Sequence, residues 1–562
     1  MNWTSSNDLG SRWPIIVLVV LIWAALYLPA LGATELEGTE AQRILPALHM
    51  MESGDWIQPY LVGKPYYSKP PLINWLIAAG FVLTGEVSEW SARISTALLV
   101  LAYTLLVLLM PSRWLAFPGR VIAALALITG IAFIEKCRLA EVDGLYVLLT
   151  GAAQLTWLNL WTARRRSWWT WLVPSVFLGL GLLVKGPLVL LYFYITVLGV
   201  VWYQKSWRDL FTVRHAVGLG LALAVFIAWA QTSAVDTPSV QREDVWIYEM
   251  WTRLKPHHLD LWFWFQNVLR ALINFLPWLV FVPFFWRRDW VKHIPTEHVA
   301  LFKGSRLSLV IGFIITNILP GVRERYSMPL FCVAALLVGW ILIVQPYRAW
   351  LITWWRVAVL ATFALCAVGA AGALILVTSG VVPWLVTLIP MEVARGVPFD
   401  DAVYSLPWGL AVVLFGLVAL LAAWLVRRQL TGPVRLALAT GMVTAVGMVL
   451  TVYFAIPLMQ HFERRRPIGE MVRALVPPGE VVHALDITYE PYLYYVRPIA
   501  YPRKARQLDP RARYMIVEDI LWPAYGTNPR ITSRDPQPLL HYRYKATDYT
   551  LYKLTPAEEP AD

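Results

Sequence analysis

Two sets of residues in this chain have the types and spacing to do chemistry. The first is acidic. Glu37, Glu40 and Asp55 lie in a polar stretch, EGTEAQRILPALHMMESGDWIQPYLVGKPYYSKPP, that directly follows the first apolar run, and Glu141 and Asp143 lie in KCRLAEVDG. Carboxylates at a membrane edge can serve as general bases when burial and neighbouring charges tune them. The second set is cationic: Lys64 and Lys69, Lys185 inside GLLVKGPLVL, and Arg323 with Arg325 in GVRERYSMP. Several cations at a membrane boundary suit a phosphate or pyrophosphate carried on a lipid. Each motif also has a plainer reading. Thr39 with its Glu neighbours could simply begin a helix, and Asp55 in Ser-Gly-Asp-Trp reads as a turn residue. Arg138 is a ready ion-pair partner for Glu141 or Asp143, and Lys185 could snorkel to water beside its Gly-Pro break. His257 and His258 are adjacent, so they cannot form an i, i+4 metal pair, and no three-ligand set stands out. The pattern neither requires nor excludes a divalent metal, and it names no cofactor.

The elements that must position these residues are membrane spans. Of 562 residues, 58% are hydrophobic and 15% charged, against roughly 25% charged in soluble domains. The 30 Trp and 25 Tyr fit interfacial belts. The net charge of +12 is read as cytoplasmic Lys and Arg rather than as a nucleic-acid surface. Three scattered cysteines form no metal or disulfide pattern. Hydropathy predicts about thirteen spans, with cores at 13–32, 91–110, 119–134, 143–161, 169–184, 187–203, 215–232, 265–286, 299–319, 328–345, 351–378, 405–425 and 434–456. The first is read as a retained anchor, and Pro70 to Gly85 as a partly embedded helix. With the N-terminus in the cytoplasm, nearly all short basic clusters fall inside, among them Arg164 to Arg166 and Arg287 with Arg288. The segments 33–90, 135–142, 233–264, 320–327 and 379–404, the Lys185-Gly186-Pro187 break and the tail then share the outer face. The tail alternates in EVVHAL, RYMIVED and DYTLYKL, which reads as a small α/β domain. The expected architecture is an all-α polytopic membrane domain over 1–460 and an extramembrane α/β domain over 461–562.

Several motifs together resemble the GT-C superfamily of integral-membrane glycosyltransferases. The resemblance is strongest to the bacterial branch related to protein O-mannosyltransferases and lipid A aminoarabinose transferases. It is carried by Glu40-Ala41-Gln42-Arg43, Ser53-Gly54-Asp55-Trp56, Tyr66-Tyr67-Ser68-Lys69-Pro70-Pro71-Leu72, Glu141-Val142-Asp143, Lys185-Gly186 and Arg325-Tyr326-Ser327-Met328-Pro329. Thr39 stands where the family pattern often has Asp, so Glu37 and Asp143 stay open beside Glu40 as the base. The Trp-Trp-Asp motif of oligosaccharyltransferases is absent.

The resemblance implies an inverting transferase that moves a sugar, aminoarabinose-like or mannose-like, from a polyprenyl-phosphate donor to a lipid A, protein or glycan acceptor. Its catalytic carboxylates would be Glu40, Asp143 and Glu141. Lys69, Lys185, Arg325 and Tyr326 would hold the donor phosphate, and Tyr67, Arg43, His258 and Arg138 are further candidates for substrate contact. The implied setting is a bacterial inner membrane, with the C-terminal domain in the periplasm. A lipid-linked sugar transporter or flippase is the alternative. It calls for charged sites near mid-bilayer and inverted repeats, whereas here the ionisable residues gather toward one face and no repeat is visible.

Overall fold

The structure, a computed structural model, describes residues 12–233, 260–318, 323–344, 349–378, 432–452 and 465–557, with side chains described only to residue 372 in the fourth stretch. The expected span at 405–425, most of the 233–264 loop with His258, the 379–404 loop and the end of the last span lie outside the described residues. The chain forms two compact units. The first takes in residues 1–34 and 68–459, the second residues 35–67 and 460–562. The polar stretch after the first apolar run is therefore divided at Tyr67, and most of it packs with the C-terminal residues.

The first unit is helical: α1 (Trp13–Tyr27), then, beyond α2 (Ala41–Ser53) of the second unit, α3 (Leu72–Thr84), α4 (Glu89–Leu109), α5 (Phe117–Ile128), α6 (Ile131–Lys136), α7 (Val142–Arg164), α8 (Trp169–Lys185), α9 (Leu188–Gln204), α10 (Val213–Thr232), α11 (Leu261–Ile273), α12 (Thr296–Asn317), α13 (Met328–Val344), α14 (Ala349–Thr378) and α15 (Pro433–Leu450). Among the described residues six helices are long and apolar enough to cross a membrane, or seven if α11 and the following 3₁₀ segment Trp278–Trp286 are one span; α1, α3, α5, α8 and α9 are shorter apolar helices.

Two expected spans take another form. Residues 265–286 are not one straight helix, because α11 and Trp278–Trp286 meet at a bend of 92°. The break falls at Asn274 to Pro277, where proline lacks the N–H that a continuing helix needs. The span expected at 119–134 is interrupted between α5 and α6 at Thr129-Gly130. The helix expected after Pro70 is α3, closed by Gly85 at φ 73°.

Small residues set the closest helix contacts. A Cβ on Gly199 of α9 would stand 2.5 Å from the Gly304 carbonyl of α12, and one on Gly339 of α13 only 2.2 Å from that of Gly119 in α5. Such approach favours association where lipid, rather than water, surrounds the helices. Two buried arginines serve the end of α1, whose last carbonyls have no partner within the helix, and the turn that follows it. Arg138 donates to the carbonyls of Leu26 and Pro29, and Arg93 Nη1 to those of Leu31 and Thr34 at 2.8 and 2.9 Å.

The second unit is built on a five-stranded sheet of β3 (Val482–Ala484), β4 (Ile499–Ala500), β5 (Tyr514–Glu518), β6 (Gln537–Tyr544) and β7 (Thr547–Lys553), ordered β4-β3-β5-β7-β6, after a two-stranded hairpin of β1 (Tyr60–Leu61) and β2 (Lys64–Pro65). β3 is parallel to β4 and β5, whereas β7 is antiparallel to β5 and β6. Strand alternation sends Tyr514 and Ile516 into one core with Val472, Tyr492 and Leu551, and Met515 and Val517 into another with Leu485, Ile531 and Tyr552. A strand covered on both faces reads as a continuous apolar run, which is why YMIV stands out in the tail.

Candidate active site

In the first unit the fold assembles a buried charge cluster from three places far apart in sequence. Asp143 sits in the first turn of α7, and Lys185 is the last residue of α8. Both positions suit the helix dipole, with an anion near an N-terminus and a cation near a C-terminus. Lys185 donates to Asp143 Oδ1, and Arg325 Nε lies 3.2 Å from Asp143 Oδ2. The Asp143 and Lys185 side chains are 5% and 7% exposed. Lys185 therefore does not snorkel outward. Gly186, at φ 77°, ends α8 immediately after it, and Pro187 precedes α9.

Arg325 lies in the 3₁₀ turn Glu324–Ser327 before α13. That turn is pinned from α12, where Asn317 Nδ2 donates to Ser327 Oγ at 2.8 Å and Thr316 Oγ1 lies 3.2 Å from the same hydroxyl. Aromatic rings enclose the ammonium of Lys185, at 4.4 Å from the Tyr326 ring centre and 5.2 Å from that of Tyr146. Tyr192 donates its hydroxyl to the Tyr326 carbonyl. Cation–π contacts of this kind strengthen when desolvated. Nearby, Glu141 is fully buried and lies 4.0 Å from Lys136, which also pairs with Glu135 at 2.9 Å.

Two cations converge on one carboxylate at Asp143. The pairing keeps Asp143 occupied and leaves one positive charge in excess, an arrangement suited to receiving an anion. Tyr146, Tyr192 and Lys136 were not singled out from sequence. Tyr146 had a signal, since it stands one helical turn after Asp143 on the same face; Tyr192 and Lys136 reach the cluster only through the packing of α6, α7 and α9. Arg138 directs its guanidinium to the carbonyls of Leu26, at the end of α1, and Pro29, just after it. Lys69 Nζ donates to the carbonyl and hydroxyl of Ser68 at 2.8 and 3.2 Å.

The second unit holds Glu40, Arg43 and Tyr67. Glu40 is fully buried at the start of α2, where its Oε2 accepts the Glu37 N–H at 2.8 Å. Glu40 itself occupies the N-cap position, without a side-chain cap bond. Arg43 is 4% exposed and donates Nη1 to the Tyr66 hydroxyl at 2.8 Å, and Tyr67 is 9% exposed. Asp55 is the turn residue expected, accepting the N–H groups of Ile57 and Gln58 at 3.0 and 3.2 Å. Among the described residues no group of three or more His, Cys, Asp or Glu is placed to hold a metal.

Apolar helices long enough to cross a membrane, a buried cation-rich site among them, and a separate small mixed α/β unit are the architecture of a multi-pass membrane protein. Residues 68–230 match the family described as dolichyl-phosphate-mannose-protein mannosyltransferase. The particular likeness is to the aminoarabinose transferases. The structure resembles ArnT from Cupriavidus metallidurans bound to undecaprenyl phosphate, with a TM-score of 0.64 and 16% identity over 97% of this chain and 98% of that one. The same protein in its apo state gives a TM-score of 0.65. By sequence the chain is 26% identical over 296 residues, 52% of each chain, to the undecaprenyl phosphate-alpha-4-amino-4-deoxy-L-arabinose arabinosyl transferase of Edwardsiella ictaluri. It is 25% identical over 343 residues, 59% of this chain and 60% of the relative, to a second such transferase from Pseudomonas fluorescens. The chain thus spans about half the length of the first of these relatives. The resemblance read from the sequence is upheld by all three comparisons, and none of them favours the transporter alternative.

Proposed function

We propose that this protein is an inverting glycosyltransferase that takes an aminoarabinose-like sugar from undecaprenyl phosphate and passes it to a lipid A-like acceptor on the periplasmic face of the inner membrane. The observation that carries the reading is the convergence of Lys185 and Arg325 on Asp143, walled by Tyr146 and Tyr326. The likeness to transferases named for an undecaprenyl phosphate donor supports it.

In this reaction the anomeric carbon loses its bond to the donor phosphate oxygen as the acceptor oxygen attacks from the opposite side. Lys185 and Arg325 take up the charge that grows on the departing phosphate, a role worth most where water is excluded. Tyr326 and Lys69 are further donor contacts. Asp143 is engaged by two cations, so its part is to hold them in place rather than to accept a proton. Glu40 is the proposed base that removes the acceptor proton, with Glu141 held in reserve by its pairing to Lys136. Arg43, Tyr67, Arg138 and His258 belong to the proposal as substrate contacts or as support for them. The chain is taken to cross the membrane about thirteen times, with its N-terminus in the cytoplasm and residues 461–562 in the periplasm.

The test is transfer by the purified full-length protein from undecaprenyl-phosphate aminoarabinose to lipid A, with polyprenyl-phosphate mannose and other acceptors in parallel. Transfer with inversion supports the reading. Failure to bind any polyprenyl phosphate overturns the class, and transfer of mannose alone overturns the choice of sugar.

A further inference from the structure

The α7–α8 hairpin has two charged ends. Asp143 and Lys185 meet at one. At the other, the connection Arg164-Arg165-Arg166-Ser167 lines, with Asp209, a cavity of about 610 Å³. The two ends are separated by the length of α7, whose 23 residues span about 34 Å, close to the roughly 30 Å of a bilayer's hydrocarbon core. This cavity is therefore remote from the proposed donor site.

Its walls are built rather than loose. Arg165 is fixed by an ion pair to Asp209 and lies over the Trp161 ring at 4.6 Å from its centre. Trp161 is held in turn through Nε1 to Gln204 Oε1 at 2.8 Å. The Arg164 carbonyl accepts from Ser167 N–H and Thr170 Oγ1, both at 2.8 Å, and the Arg166 carbonyl accepts from Arg214. The guanidinium groups of Arg164 and Arg166 are exposed and have no ion-pair partner among the described residues. Three arginines and one aspartate line the cavity, which leaves two positive charges unmatched.

The surroundings indicate which kind of anion fits. Trp168, Trp169, Trp202 and Trp207 are 46%, 58%, 63% and 40% exposed at this end of α8 and α9. Exposed indoles at the ends of apolar helices lie at headgroup depth in a bilayer. Basic pockets between helix ends at that depth take lipid phosphates, and the planar guanidinium pairs with phosphate in two-pronged fashion. We infer that the Arg164–Ser167 connection holds the phosphate headgroup of an anionic membrane phospholipid, on the membrane face opposite the proposed site of transfer.

The test uses the full-length protein in nanodiscs of phosphatidylcholine doped with phosphatidylglycerol or cardiolipin, with retained lipid read by native mass spectrometry. Anionic lipid is expected to be retained over phosphatidylcholine. An Arg164→Gln, Arg166→Gln variant should retain it roughly 10- to 30-fold less, given the attraction that each basic residue adds at such a surface. A control variant, Arg288→Gln with Lys292→Gln, removes the same charge elsewhere and should retain lipid as the parent does. Equal loss in both variants would mean diffuse attraction and overturn a defined site. So would equal retention of phosphatidylcholine, or displacement of the lipid by inorganic phosphate alone. Monodispersity and unchanged melting of both variants exclude misfolding as the cause, and a single Arg166→Lys variant, which keeps the charge but loses the fork, should weaken retention less than Arg166→Gln.

Discussion

Lys185 closes α8 directly onto Asp143, which opens α7, so one ion pair ties together the two ends of a helical hairpin 42 residues apart in sequence. Arg325 reaches the same carboxylate from the turn before α13. The pair is a structural clamp and a preset charge arrangement at once. Its two roles can be separated by experiment.

Asp143→Asn leaves the buried Lys185 ammonium and the partly buried Arg325 guanidinium without their counter-charge. Breaking a buried pair from one side costs about 3–5 kcal/mol, so a clear drop in melting temperature is expected along with lost transfer. Lys185→Gln removes one of two cations while Arg325 still faces Asp143. It should lower kcat by about 10- to 1000-fold with a smaller loss of melting temperature. A double-mutant cycle on the two residues should show strong coupling; additive effects would remove the clamp from the account.

Glu40→Gln keeps an oxygen that can accept the Glu37 N–H but cannot take a proton. The variant should fold and melt like the parent, bind donor normally, and lose roughly 100-fold or more in kcat. Wild-type turnover in this variant would transfer the role of base to Glu141, whose Gln variant belongs in the same assay.

Glu35 was overlooked by sequence reasoning, yet its Oε2 accepts the N–H groups of Arg465 and Arg466 at 2.7 and 3.1 Å, at the start of the helix Arg466–Ala474. A carboxylate there satisfies orphan N–H groups of the helix end. Glu35→Ala should destabilise the second unit by about 1 kcal/mol. Differential hydrogen exchange would locate the effect in 466–474, and unchanged protection of that helix would contradict the assignment.

His483, on β3, is 7% exposed, and burial lowers its pKa from the ordinary 6.5. The folded state therefore binds a proton less readily than the unfolded chain. Its contribution to stability is full above pH 6.5 and is lost as the pH falls from 6.5 through the lowered folded value. His49, on α2, is lowered by the same cause and acts in the same direction. Thermal unfolding between pH 7.5 and 5 should show this decline, and His483→Gln should flatten it. An unchanged slope in that variant would assign the decline to other groups.

Much of the site was legible as residue types. Asp143, Lys185 and Arg325 each stood out because an ionisable group at the edge of an apolar run is costly without a purpose. Their mutual pairing was not legible, because their sequence separation carries no signal of contact. Tyr326 was named with its motif and Tyr146 stands one turn after Asp143, but the enclosure of the Lys185 ammonium by both rings was not legible, because that contact too joins segments distant in sequence. Arg138 also donates to the carbonyls of Leu26 and Pro29, contacts that its place beside Glu141 in the sequence gave no hint of.

Composition and hydropathy by themselves determined that the chain is a membrane protein with a helical body and a tail of alternating pattern, since burial in lipid and burial on a sheet impose different periods. The sequence motifs also named the cations and carboxylates. Only the tertiary structure decided which of them meet, that the 265–286 span is bent by 92°, and that residues 35–67 pack with the C-terminal unit. Those outcomes depend on long-range packing: a helix end finds its counter-charge, and a loop its core, through surfaces that no local window of sequence contains.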